Sequence, residues 1–270
     1  MLNNIKTSNK SLTIPAIKNK KNQEKITMIT AYDSLFAKLF DGEVDMILVG
    51  DSLQMSFFGA KDTISANFKT MLYHAQAVCN GANKSLIVCD LPYGALANPQ
   101  KTLQWCIKIY QKTSVQAVKI EGGMQSLDII QLLVKNGISV MAHIGLQPQF
   151  SRFQGGYKIQ GKDEQGLQEL IQTAKAMEKA GAFSILLEGV ESNAASIITQ
   201  SVNIPVIGIG SGKEVDGQVL VWSDAFGFFE DFKPKFVRHY LKGAELIRNA
   251  LKEYVMDVKN GNFPSKNESY

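Results

Sequence analysis

Titratable side chains recur where apolar runs end. Asp51 follows "MILVG", Asp90 follows "LIVC", Glu121 follows "AVKI", His143 follows "VMA" and Glu188 follows "ILL". Within "AVKIEGG" (117–123), Lys119 and Glu121 stand two positions apart. An extended strand places both on one face and Val118 and Ile120 on the other. Carboxylates from Asp51, Asp90 and Glu121, gathered in a partly desolvated site, would repel strongly. They must take up protons or share a cation. All-oxygen donors favour a hard ion, and few carboxylates with retained waters suit Mg²⁺. A dication and Lys119 together balance the three acids, which leaves Lys119 to hold an anionic substrate. Glu188 differs in kind: Leu186, Leu187 and Val190 around it are apolar and would raise its pKa, as a general base or acid requires.

Each of these residues also has a plain structural reading. A lone acid at a strand end fits a helix cap or a loop hydrogen bond, and Lys119 fits a simple pair with Glu121. His143 fits a satisfied core histidine, and it is assigned no step. Recurrence at several run ends is what favours a site. His74 and His239 fall on helical segments without HExxH spacing, so zinc is not indicated.

The elements that must position these groups follow a rhythm. Apolar runs at 26–32, 45–52, 85–92, 117–123, 139–145, 183–189, 205–212 and 217–224 alternate with helical segments at 67–80, 99–112, 126–136, 163–180, 192–200 and 235–256. The first and seventh helices are short or indistinct. Strand then helix, repeated about eight times, predicts a (β/α)8 TIM barrel, with an open doubly wound sheet as the alternative. It is read as one domain over 1–270 with a short N-terminal extension. In a barrel the five run-end residues converge on one mouth, at the carboxyl ends of the strands. Asn98 before Pro99 is placed to cap a helix, and Gly137 and Gly181 to end helices.

"GYKIQGKD" (156–163) fits GxxxxGK, but Asp163 stands where a hydroxyl should reach Mg²⁺ and "QFSRFQ" before it is a poor strand. It reads instead as a mobile cover over the mouth, with Tyr157 and Lys158 facing substrate. The glycines of "GIGSG" (208–212) suit either a phosphate cradle or a tight turn.

The 270 residues are 45% hydrophobic and 20% charged, with net charge +4, an ordinary globular balance. The lysines near the start lack aromatic interleaving, so no nucleic-acid partner is expected. Cys79, Cys89 and Cys106 lack CxxC spacing and read as reduced core residues. No apolar run approaches the roughly 20 residues of a membrane span, and the first arginine is Arg152. A cytoplasmic location without membrane contact is the expectation.

The stretches "ITMITAYD", "ILVGDSL", "DLPYG", "AVKIEGG", "HIGLQPQ", "GGYKIQG", "IPVIGIGSG", "DGQVLV" and "PKFVRHY" occur in an order that resembles the ketopantoate hydroxymethyltransferase family. The resemblance implies a (β/α)8 barrel, Mg²⁺ at Asp51, Asp90 and Glu121, ketoacid contacts from Asp51, Ser52, Asp90 and Lys119, and Glu188 as catalytic base. It implies hydroxymethyl transfer from 5,10-methylenetetrahydrofolate to 3-methyl-2-oxobutanoate, giving 2-dehydropantoate for pantothenate synthesis through a Mg²⁺-stabilised enolate. It also implies a homo-oligomer, often a decamer. Gln54 and Gly189 depart from the family's usual glycine and cysteine, and "FFGAKDTI" (57–64) is less typical. A related Mg²⁺-dependent 2-oxoacid lyase or mutase, or a non-catalytic ketoacid-binding protein, are the other readings.

Overall fold

The computed structural model describes residues 11–230 and 233–270. Eight parallel strands close in chain order into a barrel: β1 Ile26–Thr30, β2 Met46–Val49, β3 Leu86–Asp90, β4 Ala117–Glu121, β5 Val140–Gly145, β6 Ser184–Glu188, β7 Val206–Ile209 and β8 Gly217–Leu220. Each apolar run forms one strand. Helices Ser34–Phe40, Phe68–Gly81, Pro99–Lys112, Leu127–Lys135, Glu164–Lys179 and Ser192–Gln200 follow β1 to β6 in turn. The described residues fall into two compact units, one ending at Val221 and containing the barrel, the other beginning at Trp222.

Local chemistry explains the helix ends. Asn98 Oδ1 accepts the Lys101 N–H at 3.0 Å, as its place before Pro99 predicts. Gly137 and Gly181 take φ of +78° and +100° where two helices stop.

Two features depart from the expected rhythm. No helix joins β7 to β8. Residues 210–216 lack an apolar helical repeat, and Gly210 and Gly212 turn the chain with positive φ. The last helix runs Gly243–Asn260 instead of starting near 235. The Val237 N–H bonds the Pro234 carbonyl and the Tyr240 N–H bonds the Ala225 carbonyl, so these donors are spent outside a helix.

Alternation along the strands sorts the barrel interior into two zones. Toward the amino ends, Met28, Met46, Leu48, Leu86, Val88, Ala117, Met141, Leu186, Ile207 and Val219 form the apolar filling. Ile17, fully buried on the short helix Ile14–Asn19, joins that cluster from the N-terminal segment. Lys21 fixes the same segment by reaching Asp216 at 2.7 Å and the Thr199 carbonyl at 3.0 Å. Two positions further along the same inward parity, the filling turns polar: Val88 is followed by Asp90, Ala117 by Lys119 and Glu121, Met141 by His143, and Leu186 by Glu188. Register sets these groups side by side, with Asp90 opposite Lys119, Glu121 opposite His143 and Gly145 opposite Glu188.

Candidate active site

Lys119 is the hub of the mouth. Its ammonium lies 3.3 Å from Asp90 Oδ1, 3.6 Å from Glu121 Oε1 and 3.0 Å from His143 Nδ1, and only 4% of the residue is exposed. Burial alone would discharge it, but the Asp90, Glu121 and Asp51 charges push its pKa up. It therefore stays an ammonium. The pair with Asp90 is close but outside hydrogen-bond geometry, and Asp90 Oδ1 is buried with no hydrogen-bond partner. Asp90 Oδ2 accepts the Asp51 N–H at 2.9 Å.

Three acids with different surroundings ionise differently. Burial, then the charges of Glu121 and Asp90, push Asp51 well above the usual carboxylate range. Burial also raises Asp90, and Lys119 limits the rise to about 6. Glu121 goes the other way: burial would raise it, but the positive charges it faces, His143 whenever that ring is protonated and Lys119, together with the Gln149 N–H, pull it below the usual carboxylate range.

His143 itself is pushed below its ordinary value by burial and by Lys119, so a charged His143 cannot be what holds Glu121 down at neutral pH. The hydrogen-bond pattern decides for the neutral ring. Nδ1 accepts from the Lys119 ammonium, and Nε2–H donates to the Leu146 carbonyl at 2.9 Å, a tautomer assigned from these partners. Glu121 then owes its low pKa to Lys119 and Gln149.

Glu188 sits at the end of β6, 3.4 Å from His143 Nε2. Burial, with the Glu121 charge adding to it, raises its carboxyl to about 8. The side chain keeps 22% of its surface exposed, so a ligand in the mouth can touch it. Gly145 makes the room beside it. With φ of +92°, a Cβ there would strike the Glu188 carbonyl and lie 2.7 Å from Val190 Cγ2.

Ser52 stands before the short helix Leu53–Ser56, and its hydroxyl lies 2.8 Å from that of Tyr32. Tyr32, wholly buried, also receives the Thr30 hydroxyl at 3.1 Å. Sequence reading missed Tyr32, whose only signal is a hydroxyl-tipped aromatic just past β1. It also missed Gln149, which bonds Asp51, Glu121 and the Leu91 carbonyl from the loop after β5.

The remaining motifs are structural. Asp163 caps Glu164–Lys179 by accepting the Gly166 N–H at 2.8 Å, which disposes of the nucleotide-loop pattern. Gln160 pairs with Val190 beside β6. Tyr157 is raised above its ordinary pKa by burial of its hydroxyl, with the Glu188 charge contributing, although the residue as a whole is exposed. Ser211 of "GIGSG" donates to the Leu187 carbonyl at 2.8 Å and accepts the Val190 N–H at 3.2 Å, so that turn braces the end of β6. Gln54 accepts from Ser65 at 3.1 Å. All three cysteines are free thiols. A hollow of about 740 Å³ beside Tyr73, Cys79 and Lys112 contains none of the charged cluster. Converging charge, not hollow size, marks the site.

Asp51, Asp90 and Glu121 all reach this mouth. Among the described residues, however, no three His, Cys, Asp or Glu side chains stand close enough to hold one ion together. The donor chemistry nonetheless fits Mg²⁺, which takes one or two carboxylates and keeps its waters. The orphaned Asp90 Oδ1 and the surplus of negative charge over Lys119 both favour a cation. Asp51 and Asp90 are the pair with oxygen to offer; Glu121 Oε1 faces the Lys119 ammonium at 3.6 Å and Oε2 accepts the Gln149 N–H at 3.0 Å.

The chain is a parallel (β/α)8 barrel, a fold it shares with phosphonopyruvate hydrolase, whose crystal structure with oxalate and Mg²⁺ matches at TM-score 0.62 and 13% identity over 95% of this chain and 93% of that one. A crystal structure of 2,3-dimethylmalate lyase matches at TM-score 0.58 and 16% identity, covering 94% and 90%. Sequence relatives are far nearer. A Wolinella succinogenes protein named 3-methyl-2-oxobutanoate hydroxymethyltransferase is 58% identical over 261 residues, 97% of this chain and all of that one. Its Helicobacter pylori counterpart is 53% identical over 97% of each chain. The ketopantoate hydroxymethyltransferase family model matches residues 11–266, and the chain belongs to that family.

Proposed function

We propose that this chain transfers a hydroxymethyl group from 5,10-methylenetetrahydrofolate to C3 of 3-methyl-2-oxobutanoate, giving 2-dehydropantoate for pantothenate synthesis. The observation that carries the reading is one buried ammonium among three acids, with a fourth acid, Glu188, kept protonatable near neutral pH. A ketoacid needs its negative end matched, and Lys119 matches it. Ser52, anchored by Tyr32, orients a substrate oxygen. Asp51 and Asp90 would hold a divalent cation, Mg²⁺ by donor type, with Glu121 supplying a third negative charge. Such a cation would supply Lewis-acid polarisation of the ketoacid oxygens. Glu188 takes the proton from C3, and the electron pair so freed forms a C–C bond to the folate's methylene carbon; both C–N bonds of that carbon break, water supplies the hydroxyl oxygen, and tetrahydrofolate leaves with the C3 proton and one water proton on its two nitrogens. His143, neutral and held by Leu146, keeps Lys119 aimed.

Self-association belongs to the same proposal. The helix Gly243–Asn260 leaves Leu246, Ile247, Leu251, Tyr254, Val255 and Met256 exposed within the described chain, an apolar surface suited to a cytoplasmic homo-oligomer such as a decamer. Sedimentation that finds a monomer at micromolar concentration refutes this part.

Deuterium exchange at C3 without folate, with and without EDTA, tests the core of the proposal. Exchange that EDTA stops is expected, followed by product formation once methylenetetrahydrofolate is added. Exchange indifferent to EDTA refutes the metal-assisted reading, and no exchange refutes the substrate.

A further inference from the structure

Gln149 contacts the acidic cluster without carrying any charge. The residue is 5% exposed and sits on the loop after β5, at the start of the segment that leads to the cover. Its carboxamide nitrogen donates to Asp51 Oδ2 at 2.8 Å and to the Leu91 carbonyl at 2.9 Å, using both hydrogens. Its backbone N–H donates to Glu121 Oε2 at 3.0 Å. The amide orientation is fixed by chemistry: Leu91 offers only a carbonyl acceptor, so a flipped amide would set oxygen against oxygen. One residue thus ties together the acid after β2, the backbone after β3 and the acid ending β4.

We propose that Gln149 is a positioning residue for the divalent-cation site, holding Asp51 and Glu121 at a fixed separation and leaving the remaining Asp51 oxygen oriented for a cation. The inference rests on the metal-and-ketoacid reading above. Without the carboxamide, Asp51 loses its side-chain donor and its carboxyl is no longer tied to the loop that also holds Glu121. Loss of a partner that orients a ligand costs about 10- to 100-fold in metal affinity. The Glu121 contact, made by backbone, survives side-chain substitution and keeps the loop in place.

The test uses Mn²⁺ as a spectroscopic probe. Its dissociation constant is measured by electron paramagnetic resonance on the purified full chain and on Gln149→Met, which keeps the volume and removes both donors. Binding weakened about tenfold or more, with KM for the ketoacid raised and kcat at saturating metal within about threefold of wild type, is the expected result. An unchanged Mn²⁺ constant with only a lowered melting temperature makes Gln149 a packing residue and overturns the assignment. Should Gln149→Met fail to fold, Gln149→Asn retracts the amide by one methylene; weaker Mn²⁺ binding supports the inference and an unchanged constant overturns it. Wild type that binds no Mn²⁺ overturns the metal reading itself, and the inference with it.

Discussion

In the proposed reaction Glu188 would accept the C3 proton only as a carboxylate, so C3 exchange should follow its ionisation. Burial and the Glu121 charge move that ionisation from 4.5 to about 8. Below the midpoint the group is neutral and inert, and the rate climbs as pH rises. A group with this pKa is about a tenth ionised at pH 7 and about nine-tenths ionised at pH 9, which gives roughly a tenfold rise in exchange. A cation in the mouth favours the carboxylate and pulls the midpoint down. At saturating Mg²⁺ a single-proton rising limb is therefore expected with its midpoint between about 6 and 8. A plateau already complete by pH 5.5 refutes the desolvated-base reasoning.

The same displacement has a readout that needs no catalysis. A carboxyl whose folded pKa exceeds its unfolded value keeps its proton longer in the fold, so stability is full below 4.5 and falls as pH rises toward about 8. Each pH unit is worth about 1.4 kcal/mol; solvent contact at the mouth reduces the total to about 2 kcal/mol. Glu188→Gln carries no such penalty. It should match wild type at pH 4 and exceed it by about 2 kcal/mol at pH 9 in urea unfolding without Mg²⁺, while abolishing exchange. Parallel pH curves for the two proteins would show that Glu188 is an ordinary exposed acid.

Other perturbations read other parts of the mouth. Lys119→Met strands buried acids without their cation and should cost about 3–5 kcal/mol in urea unfolding, partly restored by Mg²⁺; unchanged stability would mean the acids are simply protonated. Asp90→Asn keeps an acceptor for the Asp51 N–H but loses the charge, so Mn²⁺ affinity and ketoacid KM should worsen together by about 30-fold, and loss of neither removes Asp90 from the site. Gly145→Ala forces a Cβ against the Glu188 carbonyl at φ of +92°; about 2–3 kcal/mol of stability and a kcat loss larger than any KM change are expected, whereas normal kcat would show that β6 yields without moving Glu188.

How much of this was readable beforehand follows from what each part depends on. Strand periodicity is local, so all eight strands and the inward parity of Asp90, Lys119, Glu121, His143 and Glu188 were legible from short stretches. The absent helix between β7 and β8 was less so, because "GSGKEVD" states only that the chain turns. Gln149 was invisible for a stronger reason. Its partner Asp51 is 98 positions away, and an uncharged amide following "LQP" has many equally good uses on a surface. His143 shows the converse: its presence at a strand end was plain, but its charge state depends on Lys119, one strand over, being the better proton holder.

That dependence bears on how the mouth works. With His143 neutral, Lys119 is left alone against Asp51, Asp90 and Glu121, and the fold lets Asp51 and Asp90 keep protons where no cation relieves them. A site assembled as a tight cage would bind metal first and select substrate afterwards. Here, among the described residues, no three His, Cys, Asp or Glu side chains form a metal-holding group, and one buried ammonium faces both Asp90 and Glu121 and would also have to meet an incoming anion. On the proposed reading, a ketoacid and a dication would each lower the cost of the other's entry: the dication would free Lys119 from the acids, and the anion would supply the oxygens that a sparse protein set leaves open. Their binding should be coupled, reciprocally and to the same factor. Mn²⁺ titrations with and without 3-methyl-2-oxobutanoate measure that factor, and additive binding of the two would show that the separation of the three acids has no part in function.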